Sequence, residues 1–161
     1  MYRYILFFTV FIIYSCSSKR NEEIKSDQVI VEQLQNLTMK KVQKEAIADS
    51  LYIEKDFARV IDEYTTLIKN DSTKGVYFYR RGYSYGQFFK FDLAIADFKK
   101  SIDCGYREHD AYYSIAVIYH EVFEEDSIAL DYLDKALLED STSKLAKQLV
   151  LKIETGDVKN I

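Results

Sequence analysis

Residues Gly75–Glu108, GVYFYRRGYSYGQFFKFDLAIADFKKSIDCGYRE, decide the fold. Phe78 comes four residues before Gly82, and Tyr85 three after it. Further on, Phe91, Ala94, Phe98 and Ser101 recur at spacings of three and four. Such spacings put each set on one face of a helix. Gly82 and Ala94 are small, which lets two helices approach closely. The stretch therefore reads as a helix–turn–helix unit.

Similar units flank it. Upstream, Ile47, Ala48 and Leu51 stand at the places of Arg81, Gly82 and Tyr85, and Phe57, Val60, Tyr64 and Leu67 at those of Phe91, Ala94, Phe98 and Ser101, all at an offset of 34. Downstream, Tyr112, Ala116 and Tyr119 match Phe78, Gly82 and Tyr85 at the same offset, and Ala129, Leu133 and Ala136 follow at an offset of 35. One residue is thus inserted near Glu124–Asp126, between helices, where a repeat tolerates it. The repeats are 41–74, 75–108 and 109–143. A last helix over 143–155 carries Leu145, Ala146, Leu149, Val150 and Ile153 as an apolar stripe. Ser143 is a fitting N-cap and Gly156 a fitting stop. A period near 34 with this aromatic–Gly–Tyr–Ala–aromatic pattern resembles the tetratricopeptide repeat (TPR). The resemblance covers Lys41 to Thr155. It implies an all-α solenoid of about three helix pairs with a C-terminal capping helix, over 38–156. It also implies a non-enzymatic protein-interaction module with a protein or peptide partner. Ser72, Tyr106 and Ser141 stand where the family usually has Pro.

Composition agrees with one globular, mostly helical domain. The chain has 161 residues, 48% hydrophobic and 30% charged, with no Pro and five Gly. A net charge of −4 gives no basic footprint for nucleic acid.

The amino terminus is read separately. Residues 1–15 combine Arg3 with an apolar run, Tyr4–Tyr14. That run is shorter than the about 20 residues a spanning helix needs, and it fits the core of a signal peptide. Ile13-Tyr14-Ser15-Cys16 resembles a bacterial lipobox. The resemblance implies cleavage before Cys16, lipidation of Cys16 and attachment to a bacterial cell envelope. Ser17, where inner-membrane retention would call for Asp, implies the outer membrane. An ordinary signal peptide cut elsewhere, or an uncut anchor, stays open. Lipidation would leave Cys104 as a lone thiol. Polar residues 17–25 read as a tether within a 16–37 segment. A short helix capped by Ser26 or Asp27 is expected within 26–39. Residues 157–161 read as a tail.

No constellation supports catalysis. Gly82-Tyr83-Ser84-Tyr85-Gly86 matches G-x-S-x-G, but that motif needs a strand before it, and here it lies inside a helix. His109 and His120 are the two histidines, and no Cys pair or H-E-x-x-H pattern accompanies them, so neither a metal nor another cofactor is expected. Arg81 takes a place that is usually apolar in the family, and Asp97 lies across from it. A partly buried ion pair between them is expected.

The candidate site is a surface. In a repeat stack the first helix of each pair lines the concave side. One face of those helices carries Glu45, Asp49 and Tyr52, then Tyr79, Tyr83 and Gly86, then Tyr113, Val117 and His120. Tyrosine buries a large area and keeps a polar tip, which suits peptide recognition. The same tyrosines could instead pack helix on helix. The family's clamp of Lys, Asn and Arg on a C-terminal carboxylate is not carried over. Glu45 and Asp49 stand where the clamp would place Lys and Asn, so a carboxylate should be repelled and a basic or aromatic segment favoured. Accessory membership of an envelope enzyme complex and self-association through exposed Tyr are the alternatives.

Overall fold

The structure is a computed structural model. It describes the backbone of residues 2–156 and the side chains of residue 25 and residues 27–156. Every regular element there is a helix: α1 Tyr2–Ile53, α2 Phe57–Asn70, α3 Gly75–Gln87, α4 Phe91–Asp103, α5 Glu108–Glu121, α6 Asp126–Glu139 and α7 Lys144–Thr155. The chain divides into two compact units. The first ends at Lys44 and the second begins at Glu45, so α1 gives its last turns to the second unit.

Continuity of α1 corrects the expected tether and the separate helix capped at Ser26 or Asp27. No helix begins there. The stretch 2–53 contains neither Gly nor Pro, and its many Gln, Glu and Lys residues are good helix formers. Nothing in it supplies a stop. The proposed cleavage and lipidation involve the Cys16 side chain, which lies outside the described side chains, and the expected tail at 157–161 lies outside the described residues. No described helix is long and apolar enough to cross a membrane.

The second unit is built from helix hairpins. Lys55, Phe89 and Glu124 each take a left-handed backbone in the turn after α1, α3 and α5, with φ of 60°, 57° and 57°. Between hairpins, Asp71 and Asp140 make matching turns. The Asp71 Oδ1 accepts from the Thr73 amide at 3.1 Å, and the Asp140 Oδ1 from the Thr142 amide at 2.9 Å. An aspartate bonding its own backbone two residues on imitates a turn, which explains how the chain reverses here without Pro. Two helix starts, those of α2 and α7, are capped by a side chain. Asp56 accepts from the Arg59 amide at 3.3 Å, and Ser143 from the Ala146 amide at 3.3 Å.

Apolar faces meet in three clusters. Ala48, Leu51, Val60, Tyr64, Leu67 and Tyr77 form the first. The second gathers Tyr79, Ala94, Phe98, Ala111 and Ile115. Ala116, Leu133, Ala146 and Leu149 form the third, which joins α7 to the stack. Ala94, Ala116 and Ala129 are fully buried. A Cβ on Gly82 would sit 3.0 Å from Asp97 Cβ and 3.2 Å from the Ala94 carbonyl oxygen, so α3 and α4 touch backbone to backbone at this point. Arg81 and Asp97 bridge the same two helices. Arg81 Nε lies 2.7 Å and Nη2 2.8 Å from the two carboxylate oxygens, and Nη1 donates to Thr65 at 3.0 Å.

Candidate binding groove

The last turns of α1, then α3 and α5, supply the first helix of each successive pair. Tyr83, on α3, is 40% exposed. Its ring is held edge-on by Tyr52 of α1 at 5.8 Å and by Phe57 of α2 at 5.9 Å. Three aromatic rings from three helices thus make a fixed aromatic corner. The Arg80 guanidinium lies 5.3 Å over the Tyr52 ring, within cation–π range. Burial, and then the nearby Tyr83, push the Tyr52 phenol above its ordinary pKa. Gly86, one turn on from Tyr83, is open: a Cβ there would meet nothing within 4 Å.

Beneath the corner runs a polar network. Arg80 forms an ion pair with Asp49 and reaches the Tyr64 hydroxyl at 2.8 Å. Tyr64 donates to Asp49 at 2.6 Å, and Tyr77 donates to Glu45. Burial first, and the carboxylate acceptors second, push the Tyr64 and Tyr77 phenols well up, so both remain donors. The network is part-buried, and its shared hydrogen bonds favour one arrangement of α1, α2 and α3.

Two expectations for the groove are corrected. Tyr79 is 8% exposed and belongs to the core. Its ring packs on Phe98 at 5.6 Å and on Tyr106 at 5.9 Å, with the Arg107 guanidinium 5.1 Å above it. Burial pushes its phenol up to about 12. Two carboxylates at the edge of the groove, Asp49 and Asp110, are each paired with an arginine. Asp49 is bound by Arg80, and Asp110 by Arg107 at 2.5 Å. Two of these carboxylates are thus offset by arginine while Glu45 accepts from the neutral Tyr77 hydroxyl, which weakens the expected repulsion of a carboxylate.

Tyr113 and Val117 are half-buried and pack against the third cluster, where α5 meets α7. His120 is held at the end of α5, with Nδ1 2.5 Å from Asp126 Oδ1 at the start of α6. It acts as a clip across the α5–α6 turn. No group of three or more His, Cys, Asp or Glu suited to a metal ion exists among the described residues. Arg80 and Arg107 are the groove residues that sequence reasoning passed over. The repeat register carries no signal for Arg80, whose partner Asp49 lies 31 residues back.

Solved structures share this fold. The TPR2B domain of yeast Sti1, in complex with pHsp70, superposes with a TM-score of 0.64 at 25% identity, covering 73% of this chain and 98% of that one. The second TPR domain of human RPAP3, in complex with an HSP70 peptide, gives 0.63 at 19% identity, with 72% and 96% covered. The Yersinia enterocolitica type III secretion chaperone SycD, in complex with a peptide of the translocator YopD, gives 0.59 at 17%, with 70% and 86% covered. No family model and no curated protein sequence matches the chain. The fold is that of a tetratricopeptide-repeat domain, an all-α repeat.

Proposed function

We propose that this protein binds a peptide or an extended segment of another protein in the groove formed by α1, α3 and α5, and that it does so while anchored by lipid at Cys16 to a bacterial cell envelope. The observation that carries the binding reading is the aromatic corner. Tyr83 stays 40% exposed although Tyr52 and Phe57 hold its ring in place. A preset aromatic surface loses little entropy on binding, which is what recognition sites use. Gly86 beside it leaves room for a ligand backbone. The complexes of Sti1 with pHsp70, of RPAP3 with an HSP70 peptide and of SycD with a YopD peptide support peptide or protein binding on this fold. Paired charges in the groove point to a segment held mainly by apolar and aromatic side chains. Attachment rests on the lipobox-like Ile13–Cys16 alone.

The test is capture from solubilised membranes with the full chain, comparing wild type with Tyr52→Ala/Tyr83→Ala and with Leu138→Ala. Leu138 is 83% exposed on α6, outside the groove helices. One protein lost with the tyrosine pair and kept with Leu138→Ala is the expected result. Equal recovery with all three chains would remove the groove from the reading. Anchoring is tested in the same cells by palmitate labelling, which Cys16→Ala should abolish while moving the protein to the soluble fraction.

A further inference from the structure

Outside the groove, α5 packs on both α4 and α6, and a row of aromatic rings runs along that side. Tyr112 and Tyr119 lie seven residues apart on one face of α5, about 10 Å along it at 1.5 Å per residue. Tyr132 of α6 stands against both. Its ring is 6.3 Å from that of Tyr112 and 5.7 Å from that of Tyr119, and it is parallel to the second within 7°. Phe123 extends the row at 5.6 Å from Tyr119. The three tyrosines are only partly buried, so the row keeps an open side. α4 and α6 are the second helices of their pairs, whereas the groove is built from first helices.

Two lysines converge on the middle ring. Lys135 Nζ lies 4.8 Å from the centre of the Tyr132 ring, and Lys99 Nζ, arriving from α4, lies 5.9 Å from it. One cation over a ring is ordinary. A second shares the ring's attraction and is repelled by the first. Acids stand at the helical ion-pair spacing, Asp103 four residues after Lys99 and Asp131 four before Lys135, yet neither lysine takes one. Asp103 is held by Lys100 at 3.1 Å, and neither Lys99 nor Lys135 makes an ion pair among the described residues. The Tyr112 end of the row has the opposite character. Burial, and then Glu108 and Glu139, raise the Tyr112 phenol above its ordinary pKa. A ligand carboxylate therefore belongs at Tyr132 and is turned away at Tyr112.

We propose that this row is a second docking surface, for an acidic segment of a partner protein, with a carboxylate held by Lys99 and Lys135 and a neighbouring apolar or aromatic side chain laid on the Tyr132 and Tyr119 rings. This inference does not rest on the groove or on its ligand.

The test is selection of a displayed random-peptide library, at low salt and in mild detergent, on the full chain carrying Tyr52→Ala/Tyr83→Ala, so that the aromatic corner takes no part. Enriched peptides should combine Asp or Glu with an apolar or aromatic residue. One of them, titrated against that chain, should lose about tenfold or more in affinity with Lys99→Glu/Lys135→Glu, and should weaken as salt rises from about 50 to about 500 mM. Exchanging its acids for lysines should restore binding to the reversed chain. Lys69→Glu/Lys144→Glu, the same change of charge at exposed lysines of α2 and α7, should leave the affinity unchanged, with helical circular dichroism alike in all chains. Enriched peptides without acids, or no enrichment over the bare support, would overturn the inference. So would equal loss in the two reversal variants, loss without rescue, or RNA or anionic vesicles that bind through Lys99 and Lys135 where no acidic peptide does.

Discussion

Asp97 is 5% exposed, yet it carries a carboxylate, and Arg81 is the reason it can. Burial still holds its carboxyl above the ordinary value, against the lowering effect of two Arg81 hydrogen bonds. Removing Arg81 leaves burial unopposed. Arg81→Met should therefore destabilise the fold by about 3 kcal/mol at neutral pH. The folded state of that variant would bind a proton more tightly than the unfolded state. Its deficit against wild type should then shrink as pH falls toward the unfolded aspartate value near 3.8. Urea melts of both proteins at neutral and mildly acidic pH check this; a deficit that stays constant would mean Asp97 does not titrate the difference. The pair was legible because both residues recur at repeat positions facing one another. Asp49 was not legible in the same way. Register places a side chain on a face, but it does not say that an arginine 31 residues later will reach it.

Glycines show the same division at the residue scale. A Cβ on Gly75 would lie 2.5 Å from Tyr106 Cβ, which cannot swing away. Gly75→Ala should destabilise by about 1–3 kcal/mol through overpacking. Gly86→Ala meets nothing within 4 Å and should stabilise by roughly 1 kcal/mol, the helix preference for Ala over Gly. Thermal melts of the two variants should shift in opposite directions. If Gly86→Ala also weakens capture of a partner, the open space at Gly86 is part of the site.

At the scale of elements, the hairpins and the capping helix follow from apolar spacing and from turn chemistry that the sequence displays. Asp71-Ser72-Thr73 and Asp140-Ser141-Thr142 are the same tripeptide and make the same turn. Tyr79 shows the limit of the method. Its register assigns it to the groove, but Phe98 and Tyr106 lie close enough to enclose the ring. Continuity of α1 was also missed, because polar composition was read as a tether although nothing in 2–53 breaks a helix. The capping helix depends on Ser143, whose side chain accepts from the Ala146 amide. Ser143→Ala should cost about 1 kcal/mol. Because α7 covers Leu133 and Ala116, amide exchange in this variant should rise in α7 more than in α2 and α3.

For the whole molecule, the proposed recognition rests on the groove. Its surface is an aromatic corner over a polar network in which Arg80 offsets Asp49 and Glu45 accepts from the Tyr77 hydroxyl. That combination predicts ligands chosen for apolar and aromatic side chains, with affinity that salt changes little. Of the two carboxylates behind the expected preference for a basic or aromatic segment, Asp49 is paired with Arg80, while Glu45 accepts from the neutral Tyr77 hydroxyl.

The central claim is that Tyr52 and Tyr83 form a peptide-binding surface. Its most direct test is selection of a displayed random-peptide library on the full chain, followed by titration of an enriched peptide. Tyr83→Ala should weaken that peptide by about tenfold or more, while Leu138→Ala leaves it unchanged. A peptide bound equally well by wild type and Tyr52→Ala/Tyr83→Ala would contradict the account and move the binding site off the groove.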